Sequence, residues 1–160
     1  MQVLDASSII YAWDNYPEPQ FPPLWKWIAG QILVGDLTIP RVALDEVGRK
    51  TPECEAWLKA QGINVLPMSD SILLDAVRIK HLVGISGENY HPKGVGENDL
   101  LIIATARTYG GQLLTDEERQ ATTPKVSAKR KIPAVCGLEG VSVECLSFLE
   151  YIKRSKVVFV

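Results

Sequence analysis

The sequence predicts an α/β fold of three layers, α/β/α, around a mainly parallel central sheet. Three observations predict it. Short apolar runs such as Val3-Leu4-Asp5, Leu37-Thr38-Ile39 and Gln112-Leu113-Leu114-Thr115 alternate with longer segments whose apolar residues recur at helical spacing. Two of these runs end directly in polar residues, Asp5 and Thr115-Asp116, and helical patterns follow the early ones. A content of 46% hydrophobic and 22% charged residues over 160 positions suits one substantial core. A single domain covering residues 1–160 is therefore expected.

The elements follow in order. A strand at 3–5 leads into a short helix over 6–13, which stops where Pro17 and Pro19 interrupt the pattern. A second helix starts at Pro22-Pro23. Its Trp25, Ile28 and Ile32 lie at i, i+3 and i+7, one apolar face, and Trp27 lies off that face. A strand at 37–39 precedes Pro40, which opens a helix over 41–49. Another helix spans 52–60, with Gly62 as its stop, and a strand covers 63–66. Ser69 caps a helix over 70–83. Residues 84–98, with Gly84, Gly87, Gly94, Gly96 and Pro92, read as a mobile or functional loop. A helix over 99–109 ends at Gly110-Gly111, and a strand over 112–115 runs into Asp116 and Glu117. The last third predicts an extended piece at 132–136, a strand at 141–143 and a helix over 146–154. The apolar tail 157–160 is expected to be either an edge strand or a contact site.

Composition narrows the function. Cys54, Cys136 and Cys145 are odd in number and contain no CxxC pair, which argues against a disulfide framework or zinc ribbon and fits a reducing cytoplasm. They read as small buried apolar residues. No basic segment followed by an apolar stretch opens the chain, so no secretory signal is expected, and no run reaches the roughly 20 apolar residues that span a bilayer. A net charge of −2 does not advertise nucleic-acid binding. A cluster of acids would, however, mask a local basic patch in that sum.

The acids carry the chemistry. Asp5 ends the first strand, Glu46 lies in the helix after the second, Asp99 starts a helix after the Gly-rich loop, and Asp116 and Glu117 follow a strand directly. In a parallel sheet such positions share the carboxyl edge, where ligand sites lie. Carboxylates brought together there repel unless a cation sits among them. Oxygen donors without Cys or His suit Mg²⁺ or Mn²⁺. Such an ion activates water for attack on phosphorus and stabilises the leaving oxygen, which points to a phosphodiester substrate. Taken singly, each acid also has an ordinary reading. Asp5 and Asp99 can be helix caps, Glu46 an exposed helix acid, and Asp116 to Glu118 acids of a helix first turn.

Four stretches together resemble the PIN-domain family, the fold of the VapC-type toxin nucleases. They are Val3-Leu4-Asp5-Ala6-Ser7; Ile39-Pro40 with Val42-Ala43-Leu44-Asp45-Glu46-Val47; Asn98-Asp99-Leu100-Leu101-Ile102-Ile103-Ala104-Thr105-Ala106; and Leu113-Leu114-Thr115-Asp116-Glu117. The segment from Lys131 to Cys136 looks like a little-characterised PIN-like subgroup. The resemblance implies a metal-dependent ribonuclease, with Asp5, Glu46 and Asp99 as metal-coordinating acids and Ser7 and Thr115 as polar supporting or substrate-contacting groups. Family members often read Thr-x-Asp where this chain reads Thr115-Asp116-Glu117. Spacing favours Glu117 as the fourth acid and residue type favours Asp116, so both are retained. The family also implies an RNA substrate, an antitoxin protein partner and a homodimer, with no membrane. Lys125, Lys129, Arg130 and Lys131 form the clearest basic run and are candidate phosphate contacts or an ordinary solvated face. Lys93 and Tyr90 in the Gly-rich loop are candidate contacts for a single strand.

Two competing readings follow. The same groove can serve a binding module without cleavage, since a fold does not fix an activity. A phosphatase with Asp5 as nucleophile wants a second Asp two residues on, and Ser7 stands there.

Overall fold

The computed structural model describes all residues from Met1 to Val160. One five-stranded sheet is built from β1 (Gln2–Leu4), β2 (Leu37–Pro40), β3 (Asn64–Leu66), β4 (Gln112–Leu114) and β5 (Cys145–Leu146), in the order β3-β2-β1-β4-β5. Every neighbouring pair is parallel, and Val3 stands opposite Thr38 on one side and Leu113 on the other. The flanking helices are α1 (Ala6–Asn15), α2 (Pro22–Leu33), α3 (Arg41–Lys50), α4 (Pro52–Ala60), α5 (Asp70–Leu82), α6 (Glu97–Tyr109), α7 (Ile132–Cys136) and α8 (Phe148–Ser155).

The strands are short and apolar on both faces because helices cover both. Val3, Leu4, Leu37, Ile39, Leu113 and Leu114 are all fully buried. Thr38 is the polar exception, and its hydroxyl donates to the Gln2 carbonyl at 2.9 Å, so no buried donor is left unpaired. Helix α6 buries Leu100, Ile102 and Ile103, each worth about 1.5–3 kcal/mol on removal from water. It ends at Gly110, whose φ of +66° is a left-handed cap that favours glycine.

The topology creates a switch point. From β1 the chain moves outward through β2 to β3, then returns to place β4 on the opposite side of β1. Such a reversal opens a crevice at the carboxyl ends of the two central strands. Only two residues separate α6 from β4. Helix α6 therefore runs antiparallel to the strands, and its N-terminus lies at the same carboxyl edge.

Several expectations are corrected. Residues 132–136 form the helix α7, not an extended piece; Pro133 is tolerated in a first turn, and five apolar residues carry too little periodicity to separate helix from strand. Residues 141–143 are not a strand. Ser142 has a φ of 51°, which breaks extended geometry, and the strand forms at β5 instead. The tail 157–160 joins no strand. Phe159 packs on Trp27 with ring centroids 5.6 Å apart, while Val158 and Val160 are 78% and 100% exposed. Trp27 also covers Tyr151 at 5.2 Å, so it seals the α2 flank rather than filling the centre. The Gly-rich loop is docked: Ile85 and Val95 are buried, and the Val95 N–H donates to the Arg130 carbonyl at 2.9 Å. A Cβ on Gly94 would lie 1.8 Å from the Ala128 carbonyl oxygen, so only glycine allows this approach. No helix is long and apolar enough to cross a membrane.

Candidate active site

Asp5 follows the last residue of β1 and occupies the N-cap position of α1, yet its carboxylate makes no capping bond. The strand pairing explains this. The Asp5 N–H donates to the Leu114 carbonyl at 2.8 Å, which holds Asp5 in extended geometry beside the tip of β4. Asp5 Oδ2 then accepts from Ser7 Oγ at 2.5 Å and from Thr115 Oγ1 at 2.8 Å. Each hydroxyl spends its one proton on Asp5 and accepts a backbone N–H in turn, Ser7 from Asp116 at 2.9 Å and Thr115 from Glu117 at 3.2 Å. Ser7 and Thr115 thus fix one carboxylate oxygen and the loop after β4 in a single network.

Asp99 is the third residue of α6. Its Oδ2 accepts the Gly96 N–H at 2.8 Å, the backward half of a capping box. Glu117 Oε2 accepts the Ile132 N–H at 2.8 Å, the first amide of α7. Glu46 Oε1 accepts from Lys50 Nζ at 2.6 Å, one turn along α3. A common pattern emerges. In each acid one oxygen is anchored by the protein, and Asp5 Oδ1, Asp99 Oδ1, Glu117 Oε1 and Glu46 Oε2 accept no hydrogen bond.

The electrostatics identify which acids share a space. Burial pushes the Asp5 carboxyl above the ordinary carboxylate range against the lowering effect of Ser7 and Thr115, and the Glu46 charge adds to the rise. Burial lifts Asp99 to about 7; the Gly96 N–H opposes this, and Glu117, Asp5 and Glu46 reinforce it. Glu117 is raised by burial; the Ile132 N–H opposes the rise, Asp5 and Glu46 add to it, and Lys131 offsets part of it. Asp5, Glu46, Asp99 and Glu117 are therefore mutual neighbours.

Asp116 is not one of them. Its carboxyl is raised by burial alone, with no contribution from the other acids. It lines a 210 Å³ cavity with Arg119, Ser147 and Glu150, whose wall Thr115 and Glu117 share. Asp45 is exposed, because the helix turn that points Glu46 inward points its neighbour out.

The donor set is all oxygen, with one free atom on each of four carboxylates, which suits a hard divalent cation. The acids border the crevice without closing on one point, and no three of them form a ready-made ion cage.

The basic run lies along the same edge. Lys125 is exposed, Lys129 belongs to a single 3-10 turn (Ser127–Lys129), and Arg130 is tied by its carbonyl to Val95, just before α6. Lys131 Nζ pairs with Glu118 at 3.1 Å, and the next amide holds Glu117. Tyr90 lies under the Lys80 ammonium, 5.0 Å from the ring centroid, and Lys93 is exposed.

Sequence reasoning missed the anchors supplied by Gly96, Lys50 and Ile132. The first two leave local signals, a capping-box spacing from Gly96 to Asp99 and an i, i+4 pair from Glu46 to Lys50. The third leaves none, because it joins a loop to a helix fifteen residues on.

The profile of a domain of unknown function (DUF4411) matches residues 2–159. The chain belongs to the DUF4411 family. No curated protein matches the sequence. Solved structures similar to this DUF4411 chain include VapBC2 from Rickettsia felis bound to a DNA fragment from its promoter, at 14% identity and a TM-score of 0.56, covering 91% of this chain and 97% of that one. A toxin–antitoxin complex from Klebsiella pneumoniae matches at 15% identity and a TM-score of 0.51, covering 88% and 94%. FitAcB from Neisseria gonorrhoeae matches at 15% and 0.51, covering 93% and 99%. The fold is PIN-like, an all-parallel five-stranded sheet flanked by helices.

Proposed function

We propose that this chain is a single-domain, metal-dependent ribonuclease of residues 1–160, acting in the cytoplasm as the toxin of a toxin–antitoxin pair. The observation that carries the reading is the crevice at the β1/β4 switch point, where four acids each present an unpaired oxygen. Asp5, Glu46, Asp99 and Glu117 are the residues that would hold Mg²⁺ or Mn²⁺. When bound, the ion supplies a water of lowered pKa and charge stabilisation at the phosphorus.

The protein's own contribution is positional. Ser7 and Thr115 keep Asp5 in one orientation and shield its anchored oxygen from solvent. The Gly96 amide holds Asp99 Oδ2 and leaves Oδ1 free for the ion. The Gly96 and Ile132 amides fix Asp99 and Glu117 on facing walls. Lys125, Lys129, Arg130 and Lys131 contact phosphates along the strand without reading its sequence. An antitoxin partner is supported by the toxin–antitoxin assembly named for the Klebsiella pneumoniae structure, and a homodimer is proposed with it.

The decisive experiment is cleavage of a mixed RNA pool with Mg²⁺ or Mn²⁺ against an EDTA control. Cleavage that survives EDTA, or survives Asp99→Asn, sinks the assignment; Asp99→Asn is expected to reduce it to background with the fold intact.

The open arrangement of the acids favours a second reading, a binding module that holds RNA without cutting it. Retained RNA binding with no cleavage under any divalent cation selects it.

A further inference from the structure

Cys136 ends α7 and Cys145 begins β5, and the neighbouring Cys145 thiol, burial and the Glu117 and Asp5 charges push the Cys136 thiol up. The loop between them is closed by the Val143 N–H donating to the Cys136 carbonyl at 3.0 Å, which brings the backbone of the two segments side by side. The two sulfurs differ in access. Cys136 is buried at 1% exposure, whereas Cys145 is half-buried and lines the 210 Å³ cavity with Thr115 and Glu117. The third cysteine, Cys54, is buried on α4.

We propose that Cys136 and Cys145 are a peroxide-sensitive pair that closes reversibly into a disulfide, tying α7 to β5 beside the acid crevice. The chemistry balances with hydrogen peroxide as oxidant. The Cys145 sulfur attacks one peroxide oxygen, the O–O bond breaks, and Cys145 becomes a sulfenic acid with release of water. The Cys136 sulfur then displaces the sulfenic oxygen, which leaves as a second water with the Cys136 proton. Two thiols are oxidised and one peroxide is reduced. A cellular dithiol reverses the step by exchange.

Closure has a mechanical consequence. Bonded sulfurs sit about 2 Å apart, closer than any non-bonded contact, so the end of α7 is drawn toward β5. Helix α7 is only five residues long, and its first amide is the anchor of Glu117. Oxidation therefore displaces Glu117 from the other acids. This effect on cleavage rests on the proposed nuclease reading; formation of the bond does not.

The test treats the intact protein with hydrogen peroxide, alkylates remaining thiols, digests with trypsin and weighs the fragment 132–153, which holds both cysteines between Lys131 and the cut after Lys153. The expected result is a loss of about 2 Da, the two thiol hydrogens, with no alkylation, reversed by dithiothreitol. Cys54 stays reduced. Cys145→Ser should leave Cys136 alkylatable, and Cys136→Ser should drive Cys145 on to sulfinic acid. Two alkylated thiols after peroxide, or sulfinic acid on Cys145 in the unmodified sequence, overturn the proposal. RNA cleavage measured in parallel should fall several-fold and recover with dithiothreitol. A disulfide that forms without changing cleavage overturns the regulatory half. If the reduced protein cuts no RNA, the nuclease reading fails while the mass shift still decides the bond.

Discussion

At the edge of the sheet where the strands begin, Asp36 faces the Met1 ammonium at 3.4 Å and the Tyr151 hydroxyl at 2.8 Å, and Glu144 faces Arg154 at 2.6 Å. At the edge where they end, Asp5, Asp99 and Glu117 lie close enough for their charges to act on one another. The consequences for ionisation are opposite. Arg154 and Gln112 hold the Glu144 carboxyl below its ordinary range, while burial and like charges push the three site acids above it. One edge satisfies its acids at once. The other leaves them under tension that a cation would relieve, and such strained titratable groups are where function is expected.

The comparison breaks most visibly at the fourth acid. Glu117→Gln should take RNA cleavage close to background, whereas Asp116→Asn should leave it near the unmodified level. The opposite ranking in a cleavage assay would make Asp116 the fourth acid instead of Glu117. A smaller loss is expected one step out. Thr115→Val removes one of the two hydroxyls that orient Asp5 and should cost about 10–100-fold in metal affinity or activity, read by titrating Mn²⁺ against the cleavage rate.

Stability against pH sharpens the same contrast. Burial lifts the Asp99 carboxyl to about 7 from its ordinary value of 3.8. Between those values the folded state binds more protons than the unfolded state, so stability falls as pH rises and the loss is complete above about 7. Without divalent cations, unfolding in urea should show a decline on the order of 4 kcal/mol from pH 4 to 8. Asp99→Asn should flatten the decline and leave the protein more stable at pH 8. A profile equally steep in that variant would show that other groups carry it.

The smallest effect belongs to the paired edge. Tyr151→Phe removes the bond to Asp36 and should cost about 0.5–1.5 kcal/mol in urea unfolding, with cleavage unchanged. Lost cleavage would mean that the two edges are coupled.

Several parts of this arrangement were legible in the sequence. Alternating short apolar runs and helical patterns specified a parallel α/β sheet because side-chain periodicity is local information. Asp5, Thr115 and Asp99 stood out because strand tips and helix starts are marked by nearby residues. Short segments are less legible: 132–136 and 141–143 carry only a few apolar residues, which satisfy helix and strand alike.

The sequence by itself determined the strand and helix order through β4, and that acids recur at strand tips and helix starts. Tertiary structure alone decided that Glu117 joins Asp5, Glu46 and Asp99 while Asp116 turns away. The choice depends on the Ile132 amide, brought to Glu117 by a fold-back of fifteen residues. It also decided that the Asp5 carboxylate makes no capping bond from its N-cap position, because Thr115, 110 residues away, holds it. The meeting of Cys136 with Cys145 is of the same kind. Periodicity fixes which way a residue faces along its own element, but which residues face each other depends on how the elements pack.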